Sequence, residues 1–324
     1  MGEGLGDCFF IELENDYCET IIMVDGRKGN GISYNRIEGQ LEEYYKQNRK
    51  IDYLIVTHID ADHINGINRI LKLPETNIIK KLFEKTIVIY NHVTRPVVNY
   101  GHAVIFEDLI KNYHVIPTCK KNYIPYSSPG LKILSYEKRQ HFDPRDQEND
   151  MEYAYLTLLH PSDKWEIDQV HQDYLDKTSK SKVQPKAELV NLYSIAFLIE
   201  YRKKTVLFTG DGNIEILKNK ISKLKNMCEG ASHRKIDLIK MPHHGAKSNN
   251  IGLVEFAKNH QCGTFIVTGE KVWNHKHPSK ELIVDLIKEF QTELEIYTNV
   301  QIDILQGETE ERIELQVGED ENDR

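Results

Sequence analysis

Apolar residues recur along this chain in two periods, and the switches between them set the expected architecture. Ile51 to Val56 is an apolar run with β-branched residues and reads as a buried strand. Directly after it, Ile64, Ile67, Ile70 and Leu71 recur at helical spacing. Upstream, a strand within residues 4–13 and a second over Ile21 to Val24 form a hairpin ending at Asp25-Gly26, and residues 36–49 read as an amphipathic helix. Thr86 to Tyr90, Leu131 to Leu134 and Tyr155 to Leu159 read as strands, and Ala103 to Ile110 as a helix. The second half continues with strands Ser194 to Ile199 and Thr205 to Phe208, a helix Ile214 to Lys225 and a strand Ile236 to Met241. It closes with 251–259 (helix), 263–268 (strand), 279–290 (helix) and 294–298 (strand).

Polar stretches interrupt this order. Residues 138–150 and 162–186 read as exposed loops, the latter ending in a basic part that includes Lys177, Lys180, Lys182 and Lys186. Gly318 to Arg324 is an acidic tail expected to be disordered. With no repeat and no boundary in between, residues 1–317 are expected to form one domain.

Composition narrows the class. The 324 residues are 40% hydrophobic and 28% charged, as in a soluble globular protein. No stretch approaches the ~20 apolar residues of a membrane span, so no membrane partner is expected. Five scattered cysteines without a C-x-x-C pair read as reduced thiols, which places the protein in the cytoplasm. The net charge of −8 argues against a general nucleic-acid-binding coat, without excluding a local basic strip.

The candidate chemistry sits at strand ends. Between the strand ending at Val56 and the following helix lies Thr57-His58-Ile59-Asp60-Ala61-Asp62-His63, in which His58, Asp60, Asp62 and His63 are metal-ligand types. An acidic turn with Asp62 as helix N-cap is the plainer reading of the same residues. Two later strands end the same way, in Leu207-Phe208-Thr209-Gly210-Asp211 and in Lys240-Met241-Pro242-His243. Strand ends converging on one sheet edge are where open α/β folds place their chemistry.

These motifs, with Gly4-Leu5-Gly6-Asp7, Asn191-x-x-Ser194, His243-His244-Gly245 and His277-Pro278, resemble the metallo-β-lactamase fold superfamily. They are most similar to its branch containing the hydrolase domain of DNA-uptake competence proteins. Asp60 stands where the family signature His-x-His-x-Asp-His has its second histidine. The resemblance implies an α/β (α+β) fold, an αββα sandwich of two mixed sheets with helices outside. It also implies two divalent metal ions, Zn or Mn, bridged by Asp211. His58 and Asp60 would hold the first, and Asp62, His63 and His243 the second. Asn191 stands where the family has another histidine for the first metal, and His160 is the second choice. Asp25 is either a prop for the metal loop or an Asp-Gly turn residue.

The implied function is a metal-dependent hydrolase, foremost a binuclear phosphodiesterase or nuclease using a metal-bound hydroxide, with Asp62 or Asp211 orienting it. His244 and His277 would contact the scissile group. The partner is then a phosphodiester-containing substrate, nucleic acid or nucleotide-like small molecule, and a protein partner is compatible with this reading. Hydrolysis of a lactone, thioester or other carboxylic derivative is the alternative enzyme reading. A metal-binding module with weakened turnover is the third, and Asp60 and Asn191 keep it open. The oxygen donors of Asp60 and Asn191 harden the first site toward Mn²⁺.

Overall fold

Two mixed β-sheets face each other in a computed structural model, which describes residues 6–14, 18–28, 31–90, 101–117, 131–134, 154–161, 187–201, 204–225, 235–268, 270–272 and 275–298. The first sheet takes its strands in chain order: β1 (Phe9–Glu14), β2 (Glu19–Val24), β3 (Tyr53–Val56), β4 (Ile87–Tyr90) and β5 (His114–Pro117). Only its β1–β2 pair is antiparallel. The second sheet has the order β14-β11-β10-β9-β8-β7-β6. Its members are β6 (Leu131–Leu134), β7 (Ala154–His160), β8 (Ala196–Tyr201), β9 (Lys204–Phe208), β10 (Leu238–Lys240), β11 (Thr264–Val267) and β14 (Glu295–Thr298). Strands β6 to β9 are antiparallel neighbours, whereas β9, β10, β11 and β14 run parallel. A separate hairpin joins β12 (Glu270–Val272) to β13 (His275–His277).

The period-2 alternation of the buried strands explains the layering. Ile22 and Val24, Ile55, and Ile89 point inward and meet Leu156, Leu158, Phe197, Ile199 and Phe208 of the facing sheet. Their sequence neighbours Ile21, Met23, Leu54, Val56, Val88 and Tyr90 point outward. There they are covered by α1 (Ile32–Lys46), α2 (Ala61–Leu71), α3 (Ile78–Lys81) and α4 (Gly101–Ile110). Ala196, Leu198, Leu207 and Ile239 on the other outer face meet α6 (Ile214–Lys225), α7 (Leu253–Asn259) and α8 (Lys280–Phe290). The short α5 (Ala187–Leu192) leads into β8. This is the expected αββα sandwich.

The described elements depart from the expected ones in detail. The first helix spans Ile32–Lys46 rather than 36–49, and Asn48 beyond it has a left-handed φ of 56°. Strand β5, the hairpin β12–β13 and helices α3 and α5 carried too short a pattern to be read. The expected loops 138–150 and 162–186 and the tail 318–324 lie outside the described residues. Among the described residues no helix is long and apolar enough to cross a membrane.

Candidate metal centre

The parallel strands deliver their C-terminal ends to one edge of the sandwich. Asp25 follows β2, the His58 loop follows β3, Asp211 follows β9, His243 and His244 follow β10, and Thr268 follows β11. The two sheets are tied there by Ile195 N–H donating to Thr57 O at 2.8 Å. Two glycines permit the close approach. Gly6 (φ 100°) lies where a Cβ would overlap the Asp62 carbonyl, and Gly210 (φ 51°) where it would overlap Ser194 Oγ.

Asp211 is the hub. Its Oδ2 stands 3.9 Å from His58 Nε2, 3.5 Å from His63 Nε2, 3.9 Å from His243 Nε2 and 3.7 Å from His244 Nε2. Asp62 Oδ2 stands 3.8 Å from both His63 Nε2 and His244 Nε2. Asp60 Oδ2 stands 3.9 Å from His58 Nε2. Ligand atoms ~2.0–2.2 Å from a shared cation sit roughly 3–3.5 Å from one another, so these separations are near those of a coordination shell.

The neighbouring hydrogen bonds fix which ring nitrogen faces inward. Thr57 Oγ1 donates to Asp25 Oδ2 at 2.6 Å, so toward His58 Nδ1 at 3.0 Å it can only accept. His58 Nδ1 therefore carries the proton and Nε2 offers a lone pair to the site. His63 Nδ1 donates to Asp25 Oδ2 at 2.8 Å, with the same result. Thr268 Oγ1 donates to Asp7 Oδ1 and accepts from His244 Nδ1 at 3.0 Å. His243 Nδ1 donates to Asn249 Oδ1 at 3.2 Å, and the Asn249 amide is oriented by its own bonds to the Asp211 and Gly212 carbonyls. The inward nitrogens of His58, His63 and His244 are buried and have no hydrogen-bond partner among the described residues. Buried polar atoms are nearly always satisfied, so orphaned nitrogens converging on one carboxylate fit a cation. The donor set of imidazoles and carboxylates suits a divalent metal.

The charges agree. Burial holds His58 down at about 3, keeping it neutral. Burial opposes protonation of His63 as well, but Asp211 and Asp25 overcome it and raise that ring well above its ordinary value. His244 is raised to about 9 against burial by Asp211 and Asp7. Burial, then the adjacent Asp62, pushes Asp60 up to about 7. Asp62 would also rise on burial, but His244 beside it, followed by the charges of His63 and His58, holds it at about 2. The negative potential that draws protons to these rings would draw a cation to the same lone pairs, so metal uptake releases protons.

Among the residues expected from sequence, His58, His63 and Asp211 form one group with ligand atoms within 4.8 Å of one another. Asp62, His63 and His244 form another. His244, expected at the scissile group, thus sits among the candidate donors. His243 reaches Asp211 from a half-exposed position and faces His277, ring centroids 5.6 Å apart. Asn191 Oδ1 is buried without a hydrogen-bond partner among the described residues, and its Nδ2 is 3.5 Å from His243 Nδ1. His160 Nε2 instead bonds the Leu192 carbonyl at 2.8 Å. The N-cap position of α2 is held by Asp60 rather than the expected Asp62, which lies in the first turn, and Asp60 makes no capping bond. Asp25 props the loop, since its carboxylate takes Thr57 N–H at 2.7 Å besides the Thr57 hydroxyl and His63.

Residues the sequence reading gave no role are Thr57, Asn249, Thr268 and Lys240. A lysine inside the apolar run Ile236 to Met241 was a signal for the last of these. Asp25→Asn preserves the shape but removes the carboxylate behind His63. It is expected to weaken zinc binding ~10–100-fold in a chelator competition. Unchanged affinity would mean that Asp25 serves the turn alone.

A family model described as the metallo-beta-lactamase superfamily matches residues 1–269. Among solved structures, the metallo-beta-lactamase fold protein YhfI from Bacillus subtilis aligns with a TM-score of 0.40 and 12% identity, over 86% of this chain and 83% of that one. Tm1679, described as a metal-dependent hydrolase of the beta-lactamase superfamily, aligns with a TM-score of 0.41 and 11% identity, over 89% of this chain and 92% of that one. No curated protein sequence matches the chain.

Proposed function

The chain belongs to the metallo-beta-lactamase superfamily, a superfamily of metal-dependent hydrolases, and on that premise we propose that it hydrolyses a phosphodiester with two divalent cations. The observation that carries this reading is the single oxygen Asp211 Oδ2, 3.5–3.9 Å from the inward nitrogens of four imidazoles. A bridging carboxylate oxygen between two donor groups is what a binuclear centre needs. His58, Asp60 and Asn191 would hold one cation; Asp62, His63 and His244 would hold the other. When bound, such cations activate the attacking water and neutralise charge on the phosphoryl oxygens.

The protein's own groups then have separate tasks. Asp62, held ionised, accepts a hydrogen bond from the water and orients it. His277 stands beside His243 at the more open edge and can hold a phosphate oxygen or protonate the departing alkoxide. Asp60 in place of an imidazole supplies an oxygen donor, which favours phosphate chemistry with Mn²⁺ over a purely nitrogen-bound zinc site. The substrate class is nucleic acid or a nucleotide-like small molecule, and the scattered thiols suit the cytoplasm.

Turnover of bis-para-nitrophenyl phosphate by protein stripped and reloaded with Mn²⁺ or Zn²⁺ is the test. Metal-dependent release of nitrophenolate is expected. Cleavage of lactones or thioesters only, or bound metal with no turnover of any of these substrates, would overturn the phosphodiester reading. Mn²⁺ is expected to support the wild type at least as well as Zn²⁺, and Asp60→His should move the preference toward Zn²⁺ without unfolding. The same metal ranking in both proteins would remove Asp60 from the donor set.

A further inference from the structure

Behind the donor groups lies an ion pair with no access to water. Lys240 on β10 and Asp7 before β1 are each 1% exposed and pair directly. Lys240 Nζ also donates to Gly210 O at 2.9 Å and stands 3.5 Å from Asp211 Oδ1. Asp211 is thereby divided, one oxygen toward the ammonium and the other toward the imidazoles. Asp7 is divided too. One oxygen meets Lys240, while the other accepts the Thr268 hydroxyl and lies 3.4 Å from His244 Nδ1.

We propose that Asp7 and Lys240 are a positioning pair for the metal centre. Lys240 holds Asp211 so that Oδ2 alone reaches the cations, and Asp7, acting with Thr268, holds His244 with Nε2 turned inward. The proposal rests on the metal-centre reading above.

A buried ion pair can also serve the fold alone, and such pairs are weak contributors to stability. Here the contacts of both partners lead to the centre: Lys240 to Asp211 and to the Gly210 carbonyl preceding it, Asp7 to His244 and Thr268. Charge alone is a poor account of Lys240, because an ammonium beside a cation site repels the cation. Holding a carboxylate oxygen away from the metals gives that ammonium a task. The Asp7–Thr268–His244 chain is the usual way of fixing a ligating imidazole, by a carboxylate or hydroxyl on its second nitrogen.

The double variant D7N/K240M removes both charges together, leaves the net charge unchanged and strands no buried ion. Zinc and manganese affinities are measured by chelator competition, with the melting temperature of the metal-free protein as the folding control. The expected result is a loss of ~10–100-fold in affinity with little change in metal-free melting. A changed visible spectrum of the cobalt(II)-loaded variant should accompany it, since the ligands are held differently. If the double variant does not fold, Thr268→Val carries the test, with an affinity loss of about 10-fold expected. A folded D7N/K240M, or failing it Thr268→Val, with wild-type affinity and cobalt spectrum would overturn the positioning role while leaving the centre in place. A wild type that binds neither metal would overturn both.

Discussion

Asp211→Asn is expected to lower phosphodiester turnover by ~1000-fold, about 4 kcal/mol of transition-state stabilisation, and to lose at least one metal per chain. The amide keeps the shape of the side chain, so packing is preserved. What is lost is the charge on the one oxygen that four imidazoles face at 3.5–3.9 Å. Burial would raise the Asp211 carboxyl, but His63, His244 and Lys240 hold it well below the ordinary value, so it is an anion throughout the working range. Without that anion, the two cations would lose the carboxylate between them, and Lys240 would keep Asp7 as its counter-charge. Metal content by elemental analysis, together with initial rates, measures the effect. Two metals retained with near-native turnover would refute the bridge.

Phe197→Ala is expected to have the largest effect on stability, a loss of ~3–5 kcal/mol in urea unfolding of the metal-free protein. Phe197 on β8 is fully buried between the sheets and stacks on Phe208 of β9, with ring centroids 5.0 Å apart and planes at 9°. Phe208 in turn meets Phe9 edge-on at 5.6 Å, so the aromatic contacts cross from one sheet to the other. A void there cannot be filled by a neighbour, because the residues on either side in β8, Ala196 and Leu198, point to the opposite face. The expected loss is a large part of the ~5–15 kcal/mol that holds a typical domain together. A loss below about 1 kcal/mol would show that the sheets close over the site, contrary to a close-packed interface.

The sequence by itself determined the sandwich and marked most of the residues that meet at its edge. The alternation in Ile21 to Val24 and Ile51 to Val56 already assigned one set of side chains to the intersheet core and the next to the helices. Ligand-type residues directly after buried strands marked the His58 loop, Asp211 and the two histidines after β10, because a strand end fixes where a short loop can aim. Tertiary structure alone decided how those histidines divide. His243 and His244 both have left-handed φ values, 45° and 54°, and such a backbone turns adjacent side chains in directions that no period describes. His244 is thereby sent to Asp62 and His63, whereas His243, with Nε2 3.9 Å from Asp211 Oδ2, turns its other side to Asn249 and His277. Tertiary structure also joined Asp7 to Thr268, 261 positions apart in the chain, and set Lys240 behind Asp211. Those contacts arise where strands from both sheets end at one edge, and their sequence separation is too great for any local pattern to carry them.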